Sequence, residues 1–310
     1  LIFNKYLKRK KFDLIYLKNL NQFSKIFLTK FYLKKNFLFR IKKLKIKNLL
    51  ISLLYFFYFF NRIILFKFIF LFKNINYNKK IIFQSYFPYY NTSKPTYVLE
   101  DECLYYKKIA NYYAGDNIWM LHTIKSNSIS FINYLKYIIN TKSNVTFIEN
   151  EIKLLDYLYL FFNFIKTNFK IIKYNENINN NYDNLSSYLN YSLEISLSSK
   201  NLIYSYICFH SYKNFFNKVK INSKLLYLFE MQSWENAMNL SKPANIISIA
   251  YNHTAISKFY IFFFKSENDL RIDNIKKILP NKLAYNGEYH LKLMKEHYPN
   301  LNHHLVESLR

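Results

Sequence analysis

Three side chains in the last third of the sequence could carry acid–base chemistry: Glu230, His253 and Glu288. Each one lies within three residues of the end of a short apolar run, at 225–229, 246–250 and 282–285 respectively. Histidines and carboxylates serve as general bases when their surroundings bring the pKa close to the working pH. The pattern therefore indicates a site at which protons are transferred.

The elements around these residues repeat in the order strand, polar cluster, helix, which predicts an α/β fold. The apolar run 225–229 fits a strand buried on both faces. In open parallel sheets, ligands bind beyond the carboxyl ends of the strands, and right-handed crossovers place successive ends along one edge. We therefore expect Glu230, His253 and Glu288 to face one crevice.

Each of these residues also has a structural interpretation. A carboxylate that follows a strand often caps the next helix, and Glu288 fits that role. His253 could be a hydrogen-bonded histidine in a turn, although its position between Asn252 and Thr254 after a strand also suits an oriented base. The indole of Trp234 fits a packing role better than a stacking platform.

Upstream, the alternation of apolar runs and helical stretches continues from residue 81. We expect a strand at 81–83, a helix at 98–113, a strand at 117–122, a long apolar helix at 149–168, a loop at 175–184 and a fourth C-terminal strand beginning at 305. The stretch 202–209 fits either a strand or a helix. The cysteines, Cys103 and Cys208, have no metal-ligand spacing and suit reduced structural thiols in a cytoplasmic protein.

Residues 1–80 differ from the rest in charge, with 20 Lys and Arg against one acid, Asp13. Within them, residues 49–72 are apolar enough to cross a bilayer, but Asn61, Arg62 and Lys67 interrupt the run. Three interpretations stay open for 49–72: a buried pair of helices, a helix on a membrane surface, and a span. The abundance of Lys, Asn, Ile, Phe and Tyr, with only two glycines, also matches AT-rich codon usage.

Four motifs in residues 229–310 share their order and spacing with a known family. The run Phe229–Ala237 reads F-E-M-Q-S-W-E-N-A, and a strand ending in Ala250-Tyr251-Asn252-His253-Thr254 follows. A Pro-to-Asn-Gly turn spans 280–287, and the sequence closes on V-E-S-L-R at 306–310. These motifs resemble a bacterial family of O-antigen and surface carbohydrate biosynthesis, with Ala250 and Asn252 departing from its usual glycine and glutamine. The resemblance covers about residues 81–310.

That family is similar to GT-B glycosyltransferases, in which two Rossmann-like domains face each other across a cleft. The resemblance implies that 81–310 is the Rossmann-like acceptor-side domain, preceded by the basic, apolar, helical segment 1–80. It also implies that a donor-side domain follows Arg310, so that this part alone is inactive. The substrates would be a nucleotide-sugar and a glycan acceptor, with no cofactor and no metal, in the cytoplasm at the inner face of the plasma membrane.

The chemistry of glycosyl transfer, which the resemblance implies, suggests roles for individual residues. His253 would be the catalytic base, with Glu230 or Glu235 as the alternative base or as the group that orients it. Gln232 and Asn252 would hydrogen-bond sugar hydroxyls. The remaining substrate-binding residues would be Trp234, Thr254, Asn286, Gly287, Glu288 and Arg310.

Two other function classes remain open from the sequence. The first is a non-catalytic scaffold associated with a membrane. The second is an RNA-binding protein that uses the lysines and aromatic residues of 1–80. The aromatic residues there form apolar blocks such as Tyr55–Phe60 instead of spaced stacking platforms, which argues against nucleic acid.

Overall fold

The structure is a computed structural model that describes residues 37–87, 103, 106–123, 131–169, 196–230, 232–252 and 273–306. The chain divides into two compact units, one of residues 1–54 and 164–202 and the other of residues 55–163 and 203–310. In the first unit, Ser52 Oγ donates to the Ser198 carbonyl at 2.6 Å, and Asn168 Nδ2 donates to the Leu197 carbonyl at 3.2 Å.

The helices and strands alternate along the described chain. Their bounds are α1 Phe37–Phe70, β1 Ile81–Phe87, α2 Lys107–Tyr112, β2 Asn117–Thr123, α3 Phe131–Asn140, β3 Val145–Phe147, α4 Ile148–Glu151, α5 Leu154–Phe169, α6 Lys200–Lys218, β4 Ser223–Leu228, α7 Ser233–Ser241, β5 Ile246–Asn252, α8 Asp273–Ile278, β6 Lys282–Tyr285, α9 Glu288–His297 and β7 Asn302–Leu305.

In the second unit, the seven described strands form one parallel sheet in the order β3-β2-β1-β4-β5-β6-β7. Helices flank it, so the predicted α/β, Rossmann-like architecture is confirmed at this level. The apolar runs form central strands because both faces of a parallel sheet are covered and every side chain is then buried.

Aromatic side chains fill much of the core on one face of the sheet. The rings of Phe83 and Trp119, which are paired across β1 and β2, lie 4.5 Å apart and nearly parallel. Tyr106 packs on Phe83, and Phe66 of α1 packs on Phe147 of β3. Large aromatic rings therefore fill core positions that Val, Ile and Leu ordinarily fill in parallel sheets.

Several sequence expectations need correction. The helix predicted at 149–168 is two helices, because Ile152 has extended backbone and buries its side chain between α4 and α5. Residues 202–209 belong to helix α6. The C-terminal strand ends at Leu305 instead of beginning there. Of the helix predicted at 98–113, the described part begins at Lys107.

The N-terminal apolar segment is one continuous helix, α1, so the interpretation of 49–72 as a pair of helices is wrong. Among the described residues, its part Ile46–Phe70 is long and apolar enough to cross a membrane by length and composition alone. The expected loop at 175–184 lies outside the described residues.

Candidate active site

The strand order reverses between β1 and β4, which are neighbours in the sheet although two strands separate them in the sequence. In doubly wound sheets, ligands bind outside the carboxyl ends of the strands at this switch point. Tyr86 lies near the end of β1, and Glu230 follows the end of β4. These two residues therefore occupy the position where a ligand is expected.

Tyr86, Glu230 and Trp234 form a hydrogen-bonded chain at the switch point. The Tyr86 hydroxyl lies 3.1 Å from Glu230 Oε2 and 3.1 Å from Trp234 Nε1. The indole N–H can only donate, so the Tyr86 oxygen accepts from it and the Tyr86 proton points to the carboxylate. The order of donation fixes both the Tyr86 hydroxyl and the Glu230 carboxyl group in place.

Burial sets the protonation behaviour of this chain. It raises the pKa of the Glu230 carboxyl, while the hydrogen bond from Tyr86 opposes that shift. The pKa of Tyr86 is raised as well, first by burial and then by the Glu230 charge, so the phenol stays protonated. A carboxyl group whose pKa lies above its ordinary value is better matched to proton transfer near neutral pH.

Glu235 holds the backbone that carries Glu230. Its Oε1 accepts the backbone N–H of Gln232 at 2.7 Å and that of Glu230 at 3.0 Å. Gln232 is the N-cap of α7, and Glu235 is the third residue of the helix, so this contact is the carboxylate half of a capping box. The buried Glu235 therefore positions the loop between β4 and α7. Gln232, the N-cap residue that it contacts, is exposed at the surface.

Asn252 ends β5 beside this loop. The backbone N–H of Phe229 donates to the Tyr251 carbonyl at 2.8 Å, which extends the pairing of β4 and β5 up to Glu230. The Asn252 side chain is 1% exposed, and neither its amide oxygen nor its nitrogen has a hydrogen-bond partner among the described residues. Buried amides are nearly always satisfied in native proteins, so this one is suited to meet a polar ligand group.

The end of β6 carries the third predicted cluster. Tyr285 pairs with Asn252, and the exposed residues Asn286, Gly287 and Glu288 follow it. Gly287 has φ of +117°, a backbone conformation that favours glycine, and Glu288 begins α9. The described parts of all three clusters therefore lie at the same edge of the sheet. The third cluster follows β6, which is one strand further from the switch point than β5.

His122, at the end of β2, is a residue that the sequence reasoning did not assign to the site. It pairs in register with Tyr86, and its ring centroid is 4.9 Å from that of Trp234. Its Nδ1 and Nε2 lie 2.5 and 2.6 Å from the hydroxyls of Tyr204 and Tyr212. Burial lowers its pKa to about 3, so the neutral ring supports Trp234 instead of exchanging protons.

The rule used for Glu230 would have found Tyr86 and His122. Both are polar residues at the carboxyl ends of predicted strands, and the topology makes them neighbours. The structure places Glu230, Gln232, Trp234, Glu235 and Asn252 around the ends of β4 and β5. Trp234 is 4% exposed, and its ring packs as the structural interpretation expected. His253, Thr254 and Arg310 lie outside the described residues.

An open groove of about 760 Å³ lies at the opposite edge of the sheet, where β2 and β3 begin. Its polar groups bond to the protein itself, since Asn144 Nδ2 donates to the Asn76 carbonyl and Lys73 Nζ to the Ile138 carbonyl. We therefore place the candidate site at the switch point and not in this groove.

Among the residues that the structure describes, no group of three His, Cys, Asp or Glu side chains could hold a metal ion. Comparison of the chain with protein-family models, with curated proteins and with solved structures gives no match in any of the three. What identifies the site is therefore its own geometry: a Rossmann-like sheet with a tyrosine-bound carboxyl group at the switch point.

Proposed function

We propose that this chain is the acceptor-side domain of a GT-B-like glycosyltransferase, in which Glu230 receives a proton from the acceptor hydroxyl. The observation that carries the proposal is the position of Glu230 at the switch point, in hydrogen-bond contact with Tyr86 and with a raised pKa. The motifs at 229–237, 280–287 and 306–310, which resemble the surface carbohydrate family, supply the reaction class.

In the proposed reaction, the acceptor oxygen attacks the anomeric carbon of a nucleotide-sugar. A bond forms between that oxygen and the carbon, the bond from the carbon to the phosphate oxygen breaks, and the acceptor proton moves to Glu230. The raised pKa suits a group that must be ionised before the transfer and protonated after it. Tyr86 and Trp234 would hold the carboxyl group in position to receive the proton.

The neighbouring residues would bind the sugar. The buried Asn252 amide can donate and accept, as sugar hydroxyls require. Negative charge on the departing phosphate group must be stabilised by donors or cations. The resemblance assigns that task to a second domain, and His253 remains the residue it would assign as the base, with Glu230 then orienting it.

The test is a transfer assay on the full natural protein that contains this chain. Radiolabelled UDP-, GDP-, CMP- and dTDP-sugars would be offered with lipid-linked and polysaccharide acceptors, and label in the acceptor would be measured. We expect Glu230→Gln to lower kcat about 100-fold or more, because general-base catalysis contributes that much. Glu296→Gln, on the exposed side of α9, is the matched control.

Two results would overturn the whole proposal, and a third would overturn only the role of Glu230 as proton acceptor. One is the absence of transfer from every donor by a folded wild-type protein. The other is wild-type kcat in the Glu230→Gln variant. A His253→Ala variant decides which residue is the base: if it alone loses the pH dependence of kcat, His253 receives the proton and Glu230 orients it.

A further inference from the structure

The part of α1 within the second unit has two apolar faces, and only one of them is buried. Phe56, Phe59, Ile63, Phe66 and Phe70 repeat at helical spacing and are buried in the domain. The opposite face repeats at the same spacing and is exposed: Phe57, Phe60, Asn61, Ile64, Phe68 and Leu71, with Phe57 66% and Phe68 62% exposed. An outward face of this composition is unusual for a helix in contact with water.

The two charged residues of this part of α1 are turned toward the domain. Arg62 forms an ion pair with Glu149, whose side chain is almost fully buried, and Lys67 Nζ donates to the Asn150 carbonyl at 3.0 Å. These are the two cations that interrupt the apolar run in the sequence. Because both bind α4, the outward stripe of α1 carries no charged residue between Phe57 and Leu71.

A second outward stripe lies on the neighbouring helix α5. Its exposed members are Leu155, Leu158, Tyr159 and Phe162, with Leu155 79% exposed. The two helices are held together on their inner sides: the Tyr157 hydroxyl donates to the Phe56 carbonyl at 2.6 Å, and the Phe56 and Phe161 rings lie 5.2 Å apart. The two stripes therefore lie on helices that are in direct contact within the same unit.

We propose that the outward stripes of α1 and α5 lie in the surface of an anionic lipid bilayer, with the helices parallel to the membrane plane. Exposed apolar patches larger than scattered single residues mark interaction sites. Helices that bind in this way combine bulky apolar residues with basic ones. Residues 1–80 contain 20 Lys and Arg against one acid, and those other than Arg62 and Lys67 supply the attraction to anionic headgroups.

Charge and burial favour a bilayer surface over a second copy of this chain and over a membrane-spanning orientation. Two copies of this chain, each with a formal charge of +26, would repel one another across a shared apolar face. A spanning orientation would require lipid around the whole helix, whereas Phe59 and Phe66 are already buried in the domain. The inference does not depend on the proposed transferase activity, and its test uses no sugar.

The test is co-sedimentation of the full chain with large vesicles of phosphatidylcholine, with and without phosphatidylglycerol. We expect binding to the vesicles that contain phosphatidylglycerol, and weaker binding to pure phosphatidylcholine and at high salt. The double variant Phe68→Ser/Phe162→Ser should lower vesicle affinity about tenfold or more, because two buried aromatic contacts with lipid are lost.

The control is Tyr112→Ser/Tyr289→Ser, which removes two exposed aromatic residues from α2 and α9 and should bind vesicles as the wild type does. Thermal unfolding of each variant checks that the fold is intact, as expected for exposed positions. The proposal is wrong if wild-type protein does not sediment with anionic vesicles, or if Phe68→Ser/Phe162→Ser binds them unchanged. It is equally wrong if light scattering shows a dimer that this variant dissociates.

Discussion

Glu151 and Glu230, both among the residues that the structure describes, each accept a hydrogen bond from a tyrosine, yet their surroundings differ. Glu151, after β3, is buried and accepts from Tyr77 at 2.8 Å, from Thr146, and from Lys218 Nζ at 2.8 Å. Glu230, after β4, is partly exposed and accepts from Tyr86 at 3.1 Å. Both follow the carboxyl end of a strand, so sequence position alone does not distinguish them.

The two carboxylates differ in burial and in their position in the sheet. The internal donors around Glu151 tie β3, α6 and the segment before β1 together, and the Lys218 charge offsets its own. Glu230 lies at the switch point with a raised pKa. A carboxylate enclosed by its own donors and a cation stabilises the fold, whereas one at the sheet edge with a shifted pKa is available for chemistry.

The largest effect is expected when Glu151 is removed. Glu151→Ala leaves Lys218, Tyr77 and Thr146 without their common acceptor and should lower the free energy of unfolding by about 3 kcal/mol. Urea denaturation would measure it, with Glu296→Ala as the exposed control. A loss no greater than that of the control would show that the Glu151 cluster does not differ from the site in the way described.

An intermediate effect of opposite sign is expected at Asn252, whose amide is buried without a described partner. Asn252→Val removes that unsatisfied amide and should raise the free energy of unfolding by about 1 kcal/mol. The control is Asn117→Val at the start of β2, where the amide donates to the Tyr113 carbonyl at 3.1 Å. That variant should lose stability by about the same amount. If Asn252→Val is destabilising as well, Asn252 belongs with the structural group.

The smallest effect is the pH dependence that Glu230 contributes. Its folded pKa lies above the ordinary 4.5, so its stabilising contribution is present below that value and is lost as pH rises through the raised pKa. Glu230→Gln removes this loss, and we expect the variant to gain stability relative to wild type between about pH 4 and about pH 7.

His122, with its pKa near 3, destabilises both proteins equally on acidification, so it cancels in this comparison. Denaturation curves at both pH values would measure the difference between the two proteins. A difference that does not change with pH would mean that Glu230 titrates as an ordinary surface carboxylate.

The parallel sheet could be predicted because its central strands are buried on both faces. Apolar runs at 225–229, 246–250 and 282–285 became β4, β5 and β6 with shifts of at most two residues at either end. Their common edge followed from the geometry of parallel sheets. The pairing of Tyr86 with Glu230 could not be predicted, because it depends on β1 and β4 being neighbours although the two residues are 144 positions apart in the sequence.

Some strands could not be predicted because they are exposed or very short and therefore have no recognisable apolar pattern. β7 and β3 are the two edge strands of the described sheet; β7 reads Asn-His-His-Leu and shows no apolar run, and β3 has only three residues. In the sequence, Arg62 and Lys67 argued against a membrane span at 49–72, and the structure shows that both bind α4 from within one continuous helix. Such compensation is a tertiary effect that no local pattern records.

The two glycines of this chain lie where the backbone has positive φ. The chain contains two glycines, Gly115 and Gly287, and both have positive φ, at 82° and 117°. A side chain at Gly115 would meet nothing within 4 Å, so backbone conformation and not space is what both positions have in common. Any other residue at Gly115 or Gly287 would therefore strain the backbone, however much room surrounds it.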